Sequence, residues 1–214
     1  LEAHVIPGDR IVFENLSSSQ TVQTLSGEEI TLGPGGSIDG TGLSVTNGDV
    51  NASNGIVHVV DGVFADAVDR ISITAQYQIL GTLVEQEGLA GDLRADGLTI
   101  FAPSNDAFLT ALDDDDSGAI EDDELQGVDV ANVLQGHVHN GVFSAEDFLD
   151  VDDPEVFPKD TTLTTLSGRD ISLTTNQDGS AVFVNPDDEN ASVVTPDVKT
   201  RNGRIHGIDA VLLP

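Results

Sequence analysis

Asn202-Gly203-Arg204-Ile205-His206-Gly207-Ile208-Asp209-Ala210-Val211-Leu212-Leu213-Pro214 ends the sequence, and a close variant stands earlier: Asn54-Gly55-Ile56-Val57-His58-Val59-Val60-Asp61-Gly62-Val63-Phe64. Each opens on Asn-Gly, a pair that tolerates positive φ and therefore reads as a turn. Each continues as a nearly unbroken apolar run, the pattern of a strand buried on both faces. One His and one Asp interrupt the run at matching places. Inside a buried strand such groups need partners, because an unpaired one costs about 1–3 kcal/mol.

Two further blocks repeat. Leu25-Ser26-Gly27-Glu28-Glu29-Ile30-Thr31-Leu32 is echoed by Leu166-Ser167-Gly168-Arg169-Asp170-Ile171-Ser172-Leu173, and His4-Val5-Ile6-Pro7-Gly8 by His137-Val138-His139-Asn140-Gly141. All three blocks come in the same order, so the chain holds two copies of one unit with loops of different length. The stretch from Asp69 to Gly136 precedes the second His block and has no counterpart in the first copy, which starts at Leu1. The expected organisation is residues 1–68 as the rear part of one unit and residues 69–214 as the whole of another. A part-unit with open strand edges invites aggregation. An upstream segment, packing on the second unit, or strands lent by another molecule would relieve it.

These blocks carry a resemblance. Thr99-Ile100-Phe101-Ala102-Pro103-Ser104-Asn105-Asp106-Ala107-Phe108 resembles the first signature of fasciclin-like adhesion domains, and Asn202 to Pro214 resembles the second. Gly136-His137 stands where that family usually has a Tyr-His pair; the first copy has Ala3 before its His4. A protein without that Tyr fills the space under the His in another way. The resemblance implies an α+β fasciclin-like fold in tandem, a sheet wedge or sandwich with helices packed at one end. It also implies an extracellular or cell-surface adhesion role through protein–protein or protein–matrix contact, with contacts near Pro103–Phe108 and His137. Such an adhesion module is not an enzyme.

The composition bounds the alternatives. A chain of 214 residues with 38% hydrophobic residues can bury a core, but only 4% are aromatic, so that core is mostly Val, Ile, Leu and Ala. The net charge is −30, from 38 acidic and 8 basic residues. Nucleic acid and anionic membranes are poor partners for such a surface, while cations are good ones. Self-repulsion should loosen the fold at low salt and be relieved by salt or divalent ions. This balance suits a marine or halophilic source as well as an ordinary acidic secreted protein. Cys is absent, which excludes disulfides and thiolate metal sites. Met is absent too, so Leu1 is not expected to be the translational start. No segment reads as a transmembrane helix or a signal peptide. Sequons at Asn15, Asn51 and Asn190 are short motifs that also arise by chance.

Residues 1–64 read as strands separated by Gly, Ser and Asn clusters, without a helix. After a junction at 65–72, Ile73, Tyr77, Leu80 and Val84 fall at helical spacing and predict a helix over 73–87, stopped by Gly88. Leu98 to Ala102 reads as a buried strand. Ser104 is the expected N-cap of a helix through Leu112, with Phe108 and Leu112 facing the core. Val130 to Gln135 reads as a second short helix, and strands follow from His137 on. Helices before sheet gives the α+β pattern.

Between these helices lies Asp113-Asp114-Asp115-Asp116-Ser117-Gly118-Ala119-Ile120-Glu121-Asp122-Asp123-Glu124. It matches the EF-hand calcium loop at each diagnostic place. Asp113, Asp115 and Ser117 take positions 1, 3 and 5, Gly118 the sharp turn at 6, and Ala119 the carbonyl position 7. Ile120 is the apolar anchor at 8, Glu121 a direct or water-borne ligand at 9, and Glu124 the bidentate ligand at 12. The expected cofactor is Ca2+, on Asp113, Asp115, Ser117, Ala119, Glu121 and Glu124. A solvated acidic linker is the plainer alternative, since Asp runs are cheap in so acidic a chain. Asp150–Asp153 and Asp187-Asp188-Glu189 lack ligand spacing and read as turns.

All five His residues lie in the repeated blocks. His137 and His139, two apart on a strand, face one side and could hold a transition metal. Their repeated placement favours hydrogen-bonded structural roles instead. The chain has no nucleophile elbow, Walker loop, HExxH or dinucleotide fingerprint. The expected partners are other surface or matrix proteins, including further copies of the chain. A structural subunit of an extracellular polymer or filament is the second reading. A carbohydrate-binding module ranks last, because it needs exposed aromatic residues.

Overall fold

The computed structural model describes residues 2–8, 10–27, 29–39, 43–115, 117–148, 161–175, 182–185 and 191–213. The chain forms two compact units, one of Leu1–Ala65 with Lys199–Arg201, the other of Asp66–Val198 with Asn202–Pro214. The acidic turns expected at Asp150–Asp153 and Asp187–Glu189, and the Asn190 sequon, lie outside the described residues.

Unit 1 is a five-stranded sheet in simple sequential order, with no helix beyond single 3-10 turns among the described residues. Its strands are β1 (Gln20–Gln23), β2 (Glu29–Leu32), β3 (Ser37–Asp39), β4 (Leu43–Ala52) and β5 (Gly55–Val60). Phe13, Ile30, Leu32, Ile38 and Leu43 are its buried core on one face of the sheet.

Unit 2 uses β6 (Leu98–Pro103), β7 (Val138–Asn140), β8 (Thr161–Thr164), β9 (Asp170–Thr175), β10 (Val182–Asn185), β11 (Ala191–Thr200) and β12 (Gly203–Ile208). They form one sheet in the order β7-β6-β12-β11-β10-β9-β8. Its helices are α1 (Ala67–Ile73), α2 (Gln78–Gln86), α3 (Asn105–Leu112) and α4 (Val130–Gln135). Side chains alternate across a strand, so β6 and β12 serve two cores. Leu98, Ile100, Ala102 and Ile205 face the helices. Phe101 and Ile208 face the other way, onto Leu163, Ile171, Leu173, Val184, Ala191 and Leu212.

The repeated blocks occupy repeated places. Val22 pairs with Ile30 as Leu163 pairs with Ile171, and Leu32 pairs with Ile38 as Leu173 pairs with Val184. The Leu25 amide donates to the Val5 carbonyl and the Leu166 amide to the Val138 carbonyl, at 2.6 and 2.7 Å. Gly27 and Gly168 both sit at positive φ, 89° and 82°, after the same Thr-x-Ser hydroxyl pair.

Four expectations are corrected. The double burial foreseen for both apolar runs holds for β12, where Ile205, His206 and Ile208 are all 0% exposed. It fails for β5, where Val57 and Val59 are 51% and 47% exposed. The reason is topological: β12 lies between β11 and β6, whereas β5 is an edge strand among the described residues. The matching Asp61 and Asp209 also end up exposed. Each sits at the strand end and closes a reciprocal pair, its carboxylate accepting from the amide of Ser44 or Ser192 at 2.8 or 2.6 Å.

The helix expected over 73–87 is split. Asp66 caps α1 by accepting from the Asp69 amide at 2.8 Å, and Thr74 then turns extended, with ψ 114°. Ser72 and Thr74 bond their hydroxyls back to the carbonyls of Val68 and Arg70, a habit that weakens a helix interior. The apolar stripe therefore changes phase. Tyr77, Leu80 and Val84 are buried as expected, but Ile73 is exposed, and α1 buries Ala67, Val68 and Ile71 instead.

The Asn-Gly pairs also work differently from a positive-φ turn, since neither Gly55 nor Gly203 has positive φ. A Cβ at Gly203 would run into the main-chain carbonyl of Leu98, so glycine lets β6 and β12 approach. Asn202 is buried and clamps three main-chain groups. It accepts from the Ala67 amide at 2.8 Å and donates to the carbonyls of Leu93 and Ala95 at 2.8 and 2.9 Å.

Candidate functional site

Two sets of residues have a built geometry: the loop at 113–124 and the histidine seats of the repeated blocks.

The loop leaves α3, which Ser104 caps by accepting from the Ala107 amide at 3.2 Å. It bends at Gly118, whose φ of 80° is in the left-handed region where glycine carries no steric cost. Main-chain amides then hold its acidic groups in place. Asp113 accepts from the amides of Ser117 and Gly118 at 3.0 and 2.9 Å, and Asp115 also accepts from Ser117 at 2.9 Å. Glu124 reaches back from the far end to accept from the amides of Asp114 and Glu121, at 2.8 and 2.9 Å. Those two bonds hold the Glu124 carboxyl below its ordinary pKa.

Of the six sequence-predicted ligands, Asp113, Asp115 and Glu124 come together, with one carboxylate oxygen of each within 4.8 Å of the others. Ser117 and Glu121 adjoin each other, the hydroxyl donating to the carboxylate at 3.0 Å, and the Ala119 carbonyl lies 3.2 Å from the same hydroxyl. The Ser117 hydroxyl pulls the Glu121 carboxyl down, but desolvation and the neighbouring Glu124 outweigh it and leave that carboxyl raised. Desolvation and the Glu124 charge also raise Asp114. Such raised carboxyls mark a loop whose negative charges repel one another. The donor set is hard oxygen throughout, which suits Ca2+ or Mg2+. One feature departs from the EF-hand pattern: the loop exits through turns over 122–127, not a helix, and Leu125 and Val128 lie partly buried against the core.

The histidines fall into two kinds of seat, each present twice. His58 and His206 lie on β5 and β12. Nδ1 of His58 accepts from the Asp49 amide at 3.2 Å, and Nδ1 of His206 from the Asp197 amide at 3.3 Å. Their Nε2 atoms lie 3.1 and 3.0 Å from the carbonyls of Ile11 and Phe143. The nitrogen that accepts an amide carries no proton, so Nε2 is the donor in both. Asp49 and Asp197 adopt positive φ, 59° and 57°, and turn their carboxylates onto main-chain amides, Phe13 and Glu14 in one unit and Ala145 in the other. Asp197 also pairs with Arg204 at 3.0 Å. Sequence reading missed these two Asp residues. Their signal was present, as Asp-Val followed by Asn-Gly at equal spacing in 49–55 and 197–203.

His4 and His137 form the second kind of seat. Nε2 of His4 accepts from the Phe64 amide at 2.9 Å, and Nε2 of His137 from the Leu212 amide at 2.8 Å. His137 is fully buried and donates through Nδ1 to the Val133 carbonyl at 2.8 Å. Burial pushes its pKa down to about 4, against the pull of that carbonyl. His139 turns to a different carbonyl, Thr164, at 2.7 Å, so His137 and His139 do not converge on a shared metal position. A Cβ at Gly136 would touch the carbonyls of Val133 and Asn132 and the guanidinium of Arg169, at 3.1, 3.3 and 3.4 Å. Arg169 thus reaches the space beside this glycine and donates to the carbonyls of Leu212 and Leu213.

The sequence profile of the fasciclin domain matches residues 1–66 and 75–214. This chain belongs to the fasciclin domain family. Human periostin is 28% identical over 229 residues, covering 100% of this chain and 24% of periostin. The pig transforming growth factor-beta-induced protein ig-h3 is 27% identical over 171 residues, covering 78% of this chain and 22% of that protein. The chain therefore spans about a quarter of the length of these relatives. Among solved structures, the FAS1 domain pair of the insect cell adhesion molecule fasciclin I aligns with a TM-score of 0.56 and 18% identity. That alignment covers 96% of this chain and 76% of the insect chain, and it establishes the fasciclin-like α+β fold. No helix among the described residues is long and apolar enough to cross a membrane.

Proposed function

We propose that this fasciclin-family chain is an extracellular or cell-surface adhesion module that contacts surface or matrix proteins and is stabilised by calcium. In this reading residues 1–68 are the rear part of one repeat and residues 69–214 a second repeat. The observation that carries the reading is family membership across nearly the whole chain, with a cell adhesion molecule among its structural relatives. The function is rigid presentation of a surface, with no chemistry on a substrate. The net charge of −30 supports a salt-rich, cation-rich medium. A surface coated with the chain should retain cells or matrix from the source organism in calcium and release them in chelator. Equal retention on a surface coated with an unrelated protein of the same charge would sink the adhesive reading.

Calcium enters at 113–124, with Asp113, Asp115, Ser117, Ala119, Glu121 and Glu124 as ligands. The clustered carboxylates, their amide hydrogen bonds and the turn at Gly118 support it. A single loop that follows α3 directly and leads through partly buried Leu125 and Val128 towards α4 suits a structural clamp better than a switch. Calcium at a hundredfold over its Kd adds about 2.7 kcal/mol to the folded state. Calorimetry should show a higher Tm with calcium than with chelator, and Glu124→Gln should remove most of the rise. An unchanged melting curve in excess calcium would rule out the clamp.

The alternative, a subunit of an extracellular polymer, draws support from the edge position of β5. Sedimentation at rising concentration separates the two, because a polymer subunit assembles without any partner.

A further inference from the structure

One histidine–aspartate couple is built twice to do the same mechanical work. In unit 2 it grips residues 143–147 at two points two residues apart. Nε2 of His206 holds the Phe143 carbonyl at 3.0 Å, and the Asp197 carboxylate holds the Ala145 amide at 3.0 Å. In unit 1 it grips residues 11–15 with the same spacing. Nε2 of His58 holds the Ile11 carbonyl at 3.1 Å, and the Asp49 carboxylate holds the Phe13 amide at 2.9 Å. The remaining ring nitrogen, Nδ1, ties each histidine to its own aspartate by accepting that residue's amide. Asp197 and Asp49 serve ring and segment at once from a left-handed backbone, at φ 57° and 59°, which is uncommon outside glycine.

This grip holds only while the ring is neutral. A neutral imidazole has one donor and one acceptor nitrogen, whereas an imidazolium has two donors. Once protonated, Nδ1 faces the aspartate amide as donor against donor. The acceptor at hand is the carboxylate of the same aspartate, which in unit 1 lies 3.9 Å from Nδ1 of His58. A carboxylate that turns to the ring leaves the Ala145 or Phe13 amide behind, while the bond from Nε2 to Phe143 or Ile11 survives. Among the described residues, the charged groups that bear on His206 are Asp197 on β11 and Arg204 on β12, and β6 brings the uncharged Phe101 ring. At His58, β4 brings Asp49, and the gripped segment brings the Phe13 ring edge-on. Nearby, Arg10 turns to Asn51 at 2.6 Å and Glu14 gives its amide to Asp49 at 3.2 Å.

We propose that the His206–Asp197 and His58–Asp49 couples are acid-operated latches, each of which releases the segment beyond its anchored carbonyl when the ring takes up a proton from solvent. The direction is set at His206. Burial holds its pKa below the ordinary value, against the pull of the Phe143 carbonyl and the Asp197 charge, so the latch is shut at neutral pH. The open seat regains an ordinary histidine and accepts a proton that the shut seat refuses. Opening therefore becomes easier as the pH falls below about 6.5. In unit 2 the freed part begins after Phe143, whose amide stays on the Thr99 hydroxyl at 2.9 Å. The inference goes beyond the adhesion reading and rests on neither calcium nor a partner.

The test is an acid titration of the nitrogen-labelled 214-residue chain, from neutral pH downwards, read by amide and imidazole spectra and by amide exchange. The Ala145 and Phe13 amides should shift with the midpoints of His206 and His58 respectively, as Nδ1 of each ring gains its proton. Protection of the Ala145 amide should fall about tenfold more between about pH 7 and 5 than that of Val84, which lies in the helical core. His206→Gln should remove this extra fall and leave the Phe13 shift in place. Rings that stay neutral throughout, amides that hold still while the rings titrate, or amides that follow another midpoint would overturn the proposal. So would an extra fall that survives His206→Gln. The spectra of the unaltered chain decide the matter even where that variant does not fold. Neither result bears on whether Glu124→Gln alters melting, so the two readings fail separately.

Discussion

Phe101→Ala is expected to destabilise unit 2 by about 3–5 kcal/mol, the range for truncating a fully buried phenylalanine. Phe101 is 0% exposed and packs among Ile171, Leu173, Val184, Ile208 and Leu212 with no polar atom of its own to complicate the loss. The substitution removes the lost transfer free energy and leaves a cavity that a sheet strand held on both sides cannot close. The chain has one Tyr and no Trp, and Tyr77 lies buried in unit 2, so tyrosine fluorescence follows that unit alone. Denaturant titration should show an earlier midpoint with the slope preserved. A loss under 1 kcal/mol would mean that Phe101 is not the keystone of this face.

His137 should give the largest pH effect. Its pKa is about 4 in the folded chain, below the ordinary 6.5, because burial opposes the charged form. The sign follows from linkage. Above about pH 6.5 His137 is neutral whether the chain is folded or not, and its full contribution to stability is present. As the pH falls from 6.5 towards 4, the unfolded chain takes up a proton that the folded chain refuses, and stability declines. Below about 4 the folded chain is protonated too, and the loss levels off. The whole effect is on the order of 3 kcal/mol. His206, also lowered by burial, acts in the same direction. His137→Gln should be less stable than the parent at pH 8, and its stability should fall less steeply between pH 6.5 and 4. Parallel curves for the two proteins would contradict a neutral, buried His137.

The sequence was most legible where pattern and packing agree. The Ser104 cap, the faces of α3 and α4, and the two-fold repetition of blocks all read directly from residue spacing, because local preference and tertiary contact favour the same answer there. It was least legible where a neighbour decides. The apolar runs at 54–64 and 202–214 look alike, yet one is an edge and the other central, because burial depends on β6, which pairs from far away in sequence. Gly203 looked like a turn residue and is a close-approach residue, again because of β6. Ile73 continued an apolar stripe by spacing, but the helix ends just after it, at Thr74, where Ser72 and Thr74 bond their hydroxyls back to the main chain. At 113–124 the spacing anticipated the turn at Gly118 and the gathering of Asp113, Asp115 and Glu124, but not the exit through turns over 122–127, where Leu125 and then Val128 lie partly buried against the core. Asp49 and Asp197 were overlooked because their function is main-chain support for a histidine, which leaves only a repeated spacing as its trace.

The account stands on one architecture built twice, and the histidine rings report on it most directly. A long-range proton–nitrogen spectrum of the imidazoles, taken near pH 8, assigns the protonated nitrogen of each ring. His58 and His206 should both carry the proton on Nε2, since Nδ1 accepts the amide of Asp49 or Asp197. His4 and His137 should both carry it on Nδ1, since Nε2 accepts the amide of Phe64 or Leu212. Unlike tautomers within either pair would contradict the duplication.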